Sequence, residues 1–192
     1  MTRICLINGH PDPSPERFAH ALCHAYAEGA EAAGHMVSRV EVGALDFGFL
    51  ANQAEFETAP PEPVAHARAS IEGAEHVVFV YPLWLGTMPA KMKAFLEHVG
   101  RASFFLETGA PGEWPAKKME GKSARVIVTM GMPGFAYRLF FGSHSLKALE
   151  RSVLKLAGFK PVRDTVLGLV ESGQDRRAKM LADVRALGAK AK

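Results

Sequence analysis

The chain has 192 residues, 48% of them hydrophobic and 22% charged, and its formal net charge is +3. These proportions are typical of one globular domain with a full hydrophobic core, and they exclude a disordered chain. The small positive charge is spread along the sequence, which argues against nucleic-acid binding, and no apolar run approaches the ~20 residues of a membrane-spanning helix.

Strand and helix patterns alternate along the sequence. Short apolar runs predict strands at residues 3–8, 36–42, 76–81, 124–129 and 161–169. Apolar residues at three- and four-residue spacing predict helices at residues 15–33, 64–73, 89–99, 144–157 and 174–187. Residues 43–63 and 101–121 are predicted loops. The pattern predicts one α/β domain, residues 1–192, with a doubly wound, five-stranded parallel sheet.

The turn after the first strand favours one of two strand orders. A dinucleotide-binding Rossmann unit needs several glycines there, spaced G-x-G-x-x-G, so that the backbone can approach a pyrophosphate. Residues 8–15 instead contain one glycine and three prolines. The turn therefore favours the flavodoxin-like order 2-1-3-4-5, whose ligand is a flavin.

The same turn leads into the first predicted helix. Ser14 is its candidate N-cap, Pro15 its first residue and Gly34 its stop signal. Free N–H groups and the helix dipole would attract a phosphate here, with His10 and Arg17 adding charge. Alternatively, Ser14 only caps the helix and His10 is an ordinary loop histidine.

Two further loops are expected at the same edge of the sheet, where open α/β sheets bind ligands. The loop after the third strand is unusually apolar and begins with Pro82, Leu83, Trp84 and Leu85. These side chains suit a flat, partly apolar ring, or they form core or a dimer contact. The loop after the fourth strand, Thr129-Met130-Gly131, brings a backbone close to a ligand edge, or it is an ordinary Gly-Pro turn.

Three groups of residues carry a family resemblance that extends from about residue 4 to residue 169. They are Gly9-His10-Pro11 with Phe18, Ala21 and Leu22; Pro82-Leu83-Trp84 with Met88-Pro89-Ala90 and Lys93; and Thr129-Met130-Gly131 with Tyr137. In these residues the chain resembles the flavodoxin-like NAD(P)H:quinone dehydrogenases. That family includes bacterial quinone reductases and the ancillary subunits of glutathione-gated potassium efflux systems.

The resemblance implies a homodimeric flavin enzyme with a ping-pong reaction. NAD(P)H would reduce the flavin and leave, and a quinone or similar electrophile would then take the hydride. FMN is the expected cofactor and FAD the alternative. The implied flavin contacts are His10, Ser14, Arg17 and Phe18 at the phosphate, Pro82, Leu83, Trp84 and Leu85 at the ring, and Thr129, Met130, Gly131 and Tyr137 on the other side.

Two positions depart from the family's pattern. Arg17 and Ala19 stand where the family usually has a small hydroxyl residue and often asparagine, on either side of Phe18. The family's histidine beyond the tyrosine falls on Ser143, with His144 next. We expect Tyr137 and His144 to be the catalytic donors that stabilise developing negative charge, although His144 in a capping role remains the other interpretation.

The remaining features bear on location and on two competing functions. Cys5 and Cys23 form no CxxC pair and no metal-ligand set, so we expect reduced, buried thiols, no metal site and a cytoplasmic protein without a signal peptide. The first competing function is a regulatory subunit of a cation-efflux system, docked through the acidic loop 43–63. The second is a nucleotide-binding α/β domain without flavin.

Overall fold

A five-stranded parallel sheet forms the centre of the computed structural model, which describes residues 1–107 and 112–192. Its strands are β1 (Arg3–Asn8), β2 (Met36–Glu41), β3 (His76–Pro82), β6 (Ser123–Met130) and β7 (Val162–Gly168). A separate antiparallel pair is formed by β4 (Leu106–Glu107) and β5 (Ala116–Lys117). The parallel strands lie in the order β2-β1-β3-β6-β7, which confirms the predicted flavodoxin-like order.

Helices cover both faces of this sheet. They are α1 (Phe18–Ala32), α2 (Gln53–Phe56), α3 (Glu62–Gly73), α4 (Ala90–Val99), α5 (Gly134–Leu139), α6 (His144–Ala148) and α7 (Gln174–Ala189). A 3₁₀ turn spans Val42–Ala44, and α6 continues into the π-helical segment Leu149–Lys155. Among the described residues, no helix is long and apolar enough to cross a membrane.

The two faces have separate cores. On one face, α1 and α7 pack over β1, β3 and β6 around Leu22, Tyr26 and Val184. On the other, α3, α4 and the π-helical segment bury a larger cluster that includes Phe79 and Phe95. Because every residue of β3 except its last is buried, the strand appears in the sequence as a continuous apolar run.

Helices α1 and α7 pack closely because glycines lie at their contact. A Cβ at Gly29 would overlap the carbonyl group of Arg185, and a Cβ at Gly188 would overlap that of Tyr26. Both thiols are buried and free, Cys5 on the α3–α4 face and Cys23 on the α1–α7 face. Burial raises the pKa of Cys5 to about 12, so it stays a thiol.

The structure corrects several predicted boundaries. Helix α1 begins at Phe18 with Arg17 as its N-cap, so Ser14 and Pro15 precede the helix instead of starting it. The cause is a turn at residues 14–17, in which the Arg17 N–H donates to the Ser14 carbonyl (3.2 Å). Gly34 ends the helix as predicted, with φ of 80°.

The two predicted loops contain regular structure. Residues 43–63 include the 3₁₀ turn, α2 and the start of α3, and residues 101–121 include β4 and β5. The short helix α5 was not predicted, and the predicted helix 144–157 contains a π-helical segment. Strands β4 and β5 have only two residues each, and an alternating apolar pattern cannot be recognised over so short a length.

Candidate functional site

Three loops meet at the carboxyl edge of the sheet. In the strand register Asn8 lies opposite Val80, and Pro82 opposite Thr129, so these strands end together. The Leu83 N–H donates to the Thr129 carbonyl (2.7 Å), which joins the loops after β3 and β6. The His10 ring meets the Trp84 ring edge-on, with centroids 5.7 Å apart, and joins the loops after β1 and β3.

Asp12 organises the loop after β1, which we call the first loop (residues 9–17). One carboxylate oxygen accepts the Ser14 N–H (2.9 Å) and the other accepts Nε–H of Arg17 (2.6 Å). The hydrogen bond from Ser14, followed by that from Arg17, holds the pKa of Asp12 below its ordinary value. Sequence analysis missed this residue, although an aspartate two positions before a serine is a signal for such a turn.

His10 is held by its neighbours on both sides. Its N–H donates to the Asn8 side-chain oxygen (3.1 Å), and its ring Nδ1 lies 3.1 Å from the Asp12 N–H. Burial lowers the pKa of His10. Nδ1 also lies 3.1 Å from the Asp12 carbonyl oxygen, so the ring can accept from the Asp12 N–H or donate to that carbonyl, according to its tautomer.

The N-terminus of α1 opens onto the first loop. Within residues 1–107 and 112–192, no side chain caps this helix, and its first turn carries no acidic residue. Its leading N–H groups therefore suit an anion. Phe18 begins the helix, and the guanidinium group of Arg177 lies over its ring, 5.2 Å from the centroid. This contact was not predicted from the sequence, because it joins residues that are far apart in the chain.

The loop after β3 presents apolar side chains to solvent on a tight turn. Trp84 and Thr87 exchange both backbone hydrogen bonds (2.8 and 3.0 Å). Between them Leu85 takes a left-handed conformation, with φ of 47°, and Gly86 follows with φ of 80°. Leu85 is fully exposed and Trp84 is 48% exposed. A non-glycine residue in this conformation costs about 1 kcal/mol.

The loop after β6 offers mainly backbone. The side chains of Thr129 and Met130 are buried, whereas Gly131 is exposed. A Cβ at Gly131 would meet no atom of the described residues within 4 Å. The carbonyls of Met130 and Met132 accept hydrogen bonds from the N–H groups of residues 169–170. These bonds connect the loop after β6 to the loop after β7.

Tyr137 and His144, the two predicted catalytic residues, have contrasting environments. Tyr137 is 2% exposed, and its hydroxyl accepts the Leu146 N–H at the start of α6 (3.3 Å). His144 is exposed at the first position of α6, where its ring lies against Gly142. Ser143 precedes it as the helix N-cap, with φ of 52°. The structure therefore leaves His144 accessible and places Tyr137 inside.

A cleft of about 1250 Å³ lies beside the Trp84–Thr87 turn. Its walls come from that turn, from α4, from the residues around β4 and β5, and from the π-helical segment. The lining is largely apolar and includes Trp84, Leu85, Met88, Leu96, Phe105 and Val153. Trp84 thus contacts the first loop through His10 and also borders this cleft.

Residues 43–61, most of the predicted acidic loop, are fixed to α4 and to Arg101, which follows it. Lys91 donates to the Gly43 carbonyl (2.7 Å), and the His98 ring Nε2 lies 2.9 Å from the Gly48 carbonyl. Arg101 donates to the Thr58 hydroxyl (2.5 Å) and carbonyl (3.2 Å). This segment is therefore an integral part of the fold.

No cluster of three or more histidine, cysteine, aspartate or glutamate side chains suited to a metal ion occurs in the described part of the chain. The donors at the carboxyl edge are N–H groups, His10 and Arg17, which suit an anion. The exposed apolar side chains of Trp84 and Leu85 lie on the neighbouring loop, next to His10. The edge can therefore accept a ligand with a charged tail and a flat apolar body.

Comparisons with known proteins agree with this fold. A ribosyldihydronicotinamide dehydrogenase-like protein, traD, of Penicillium crustosum is 28% identical over 155 residues. The match covers 67% of this chain and 57% of that protein, so the chain spans little more than half the relative's length.

Solved structures also resemble the chain over its whole length. The NAD(P)H:quinone oxidoreductase from Methanothermobacter marburgensis has a TM-score of 0.84 and 23% identity, covering 100% of this chain and 99% of that one. The FMN-dependent NADH-azoreductase from Bacillus anthracis, solved with FMN, has a TM-score of 0.75 and 14% identity, covering 99% of each chain. At these identities the likeness shows the fold. The family model described as a flavodoxin-like fold, Flavodoxin_2, matches residues 2–190, and the chain belongs to that family.

Proposed function

We propose that the chain is a flavin-dependent NAD(P)H oxidoreductase that reduces quinones or similar electrophiles by two-electron hydride transfer in a ping-pong reaction. One observation carries the proposal: the first loop and the exposed Trp84–Leu85 turn meet at one edge of the sheet. The first loop suits a phosphate and the turn suits a flat ring. Structural relatives described as an NAD(P)H:quinone oxidoreductase and an FMN-dependent NADH-azoreductase support the same chemistry.

The residues at this edge fit FMN, which when bound supplies a ring that accepts and releases a hydride. At the phosphate end, the N–H groups of α1 would donate together with His10, Ser14 and Arg17, and Phe18 would lie beside them. At the ring end, the proposed contacts are Pro82, Leu83, Trp84 and Leu85. FAD remains the alternative cofactor, because both share these contacts.

The loop after β6 would close the opposite edge of the ring. Thr129 and Met130 are buried and Gly131 has no side chain, so the loop would approach the ligand through its backbone. Backbone N–H groups held in place before the reaction stabilise negative charge without reorganisation.

Of the two residues predicted to be catalytic, we propose His144 as the catalytic donor and Tyr137 as the residue that positions it. His144 is exposed at the N-terminus of α6 and would donate a proton or a hydrogen bond to the electron acceptor. We assign the buried Tyr137 to positioning, because its hydroxyl binds the Leu146 N–H and so fixes the helix that carries His144.

A homodimer is part of the proposal. Four large apolar side chains in and next to α5 are exposed, and clustered exposed apolar residues often mark an interface; they are Phe135, Leu139, Phe140 and Phe141. The open cleft beside Trp84 adds apolar surface. Pairing of two copies would cover such surface and complete the walls around the electron acceptor.

An absorption spectrum of the purified protein is the decisive first experiment, with the released cofactor identified by chromatography. We expect the yellow colour of a flavoprotein and oxidation of NADPH or NADH that depends on an added quinone. A colourless protein that also fails to take up FMN and FAD would refute the proposal. The regulatory-subunit alternative depends on docking through residues 43–63, and co-purification with a membrane partner would distinguish it from a free oxidoreductase.

A further inference from the structure

We infer that Asp12 competes with the flavin phosphate for the donors of the first loop, and that it determines how strongly the protein distinguishes flavins by the charge of their tails. The inference rests on the proposed function, since it concerns the same site. Asp12 is not among the residues that the family resemblance implies for binding.

The geometry shows that these donors are already engaged. Ser14 N–H donates to one Asp12 oxygen at 2.9 Å, and Arg17 Nε–H donates to the other at 2.6 Å. These two residues are also proposed to bind the phosphate. A phosphate that takes both donors must therefore replace a carboxylate that carries the same sign of charge.

The two bonds of Asp12 differ in how easily they open. The Arg17 side chain is 55% exposed and that of Asp12 is 36% exposed, and an ion pair in such a position is weak. An incoming phosphate can therefore take Arg17. The backbone bond to Ser14 fixes the position of Asp12, so the carboxylate would remain beside the phosphate and repel it.

The other charged groups nearby modify this competition. The His10 ring and the His20 ring lie against the Asp12 backbone, at 3.1 and 3.2 Å. His20 also faces Glu41, at 3.5 Å. Both rings contact the backbone of Asp12, whereas its carboxylate binds Ser14 and Arg17.

This arrangement predicts an order of discrimination. The terminal phosphate of FMN carries close to two negative charges at neutral pH. Each phosphate of FAD has one ester and one anhydride bond and carries one charge, and riboflavin has no phosphate. Asp12 should therefore weaken binding of FMN most, FAD less and riboflavin not at all.

The test compares the affinities of these three flavins by quenching of their fluorescence at low salt. In the unmodified protein we expect FMN to bind no more than about tenfold more tightly than riboflavin, because Asp12 offsets most of the gain from the phosphate. Asp12→Asn keeps an oxygen that accepts the Ser14 N–H but removes the charge. The variant should bind FMN about tenfold more tightly than the unmodified protein does, should gain less affinity for FAD, and should bind riboflavin with unchanged affinity.

Glu16→Gln is the matched control, since it removes one negative charge from an exposed residue of the same loop. It should change FMN affinity less than twofold, and added salt should reduce the effect of Asp12→Asn. Unchanged or weaker FMN binding by Asp12→Asn, with riboflavin binding intact, would overturn the inference. So would a preference of the unmodified protein for FMN over riboflavin of a hundredfold or more, a result that needs no variant. If no flavin binds at all, the proposed function itself fails, and this inference with it.

Discussion

His76 should make the protein less stable as the pH falls below neutral. Its side chain is buried at the start of β3, and its ring Nδ1 lies 2.8 Å from the Ser123 hydroxyl. Nε2 has no hydrogen-bond partner among the described residues. Burial, with Arg125 and Arg163 adding positive charge nearby, lowers the pKa of His76 from 6.5 to about 4.

The sign and size of the effect follow from these two values. Between pH 6.5 and 4 the unfolded chain binds a proton at His76 that the folded chain excludes, so acid favours unfolding. At 1.36 kcal/mol per pH unit, the free energy of unfolding should fall by about 3 kcal/mol across this interval, and His76 should have no influence above it.

Urea denaturation at several pH values would measure this. Acidic side chains also titrate in this range. The effect of His76 is therefore the difference in unfolding free energy between the unmodified protein and His76→Asn, a variant that keeps a hydrogen-bonding group but does not titrate at this position. Between pH 6.5 and 4, the free energy of unfolding should fall by about 3 kcal/mol less in the variant than in the unmodified protein. His66→Asn is the control, because His66 is exposed on α3 and its ring lies 3.4 Å from Glu62. Parallel pH curves for the unmodified protein and His76→Asn would refute the reasoning.

Two other substitutions test the carboxyl edge. Trp84→Ala should raise the Kd for FMN about tenfold, since stacking on an aromatic side chain contributes about 1–3 kcal/mol per ring; Trp114→Ala, at another exposed tryptophan, should leave it unchanged in the same fluorescence titration. Gly43→Ala should lower the free energy of unfolding by about 1–3 kcal/mol, because a Cβ there would lie 2.8 Å from the His10 carbonyl oxygen. Gly48→Ala, where a Cβ would meet no described atom within 4 Å, should cost little in parallel urea titrations. Equal effects of the two tryptophan variants on the Kd would contradict the proposed contact of Trp84 with the flavin. Equal effects of the two glycine variants on the unfolding free energy would contradict the close approach of Gly43 to His10.

The sheet could be predicted from sequence because each strand carries its own signal. Burial of β3 on both faces requires a continuous apolar run, and the glycine-poor turn after β1 pointed to the observed strand order. The carboxyl-edge loops followed from this order, because parallel strands end at a common edge. The end of α1 could also be predicted from sequence, because a single glycine, Gly34, marks it.

Features that depend on hydrogen bonds between side chain and backbone were not predictable in this way. Helix α1 begins at Phe18 because Asp12 organises the preceding turn, whereas Ser14 and Pro15 carry the sequence signals of an earlier helix start. The burial of Tyr137 depends on α5 and α6, whose short lengths leave no clear periodicity. The contact of Arg177 with Phe18 joins distant parts of the chain.

The close contact between α1 and α7 has a consequence for how the protein folds. Most of the chain separates these two helices, yet together they shield one side of the central strands. While the polypeptide is being synthesised, α1 alone would leave part of that side open to water until α7 has been made. Such long-range pairing slows folding and lengthens the time during which apolar strands can associate with other molecules.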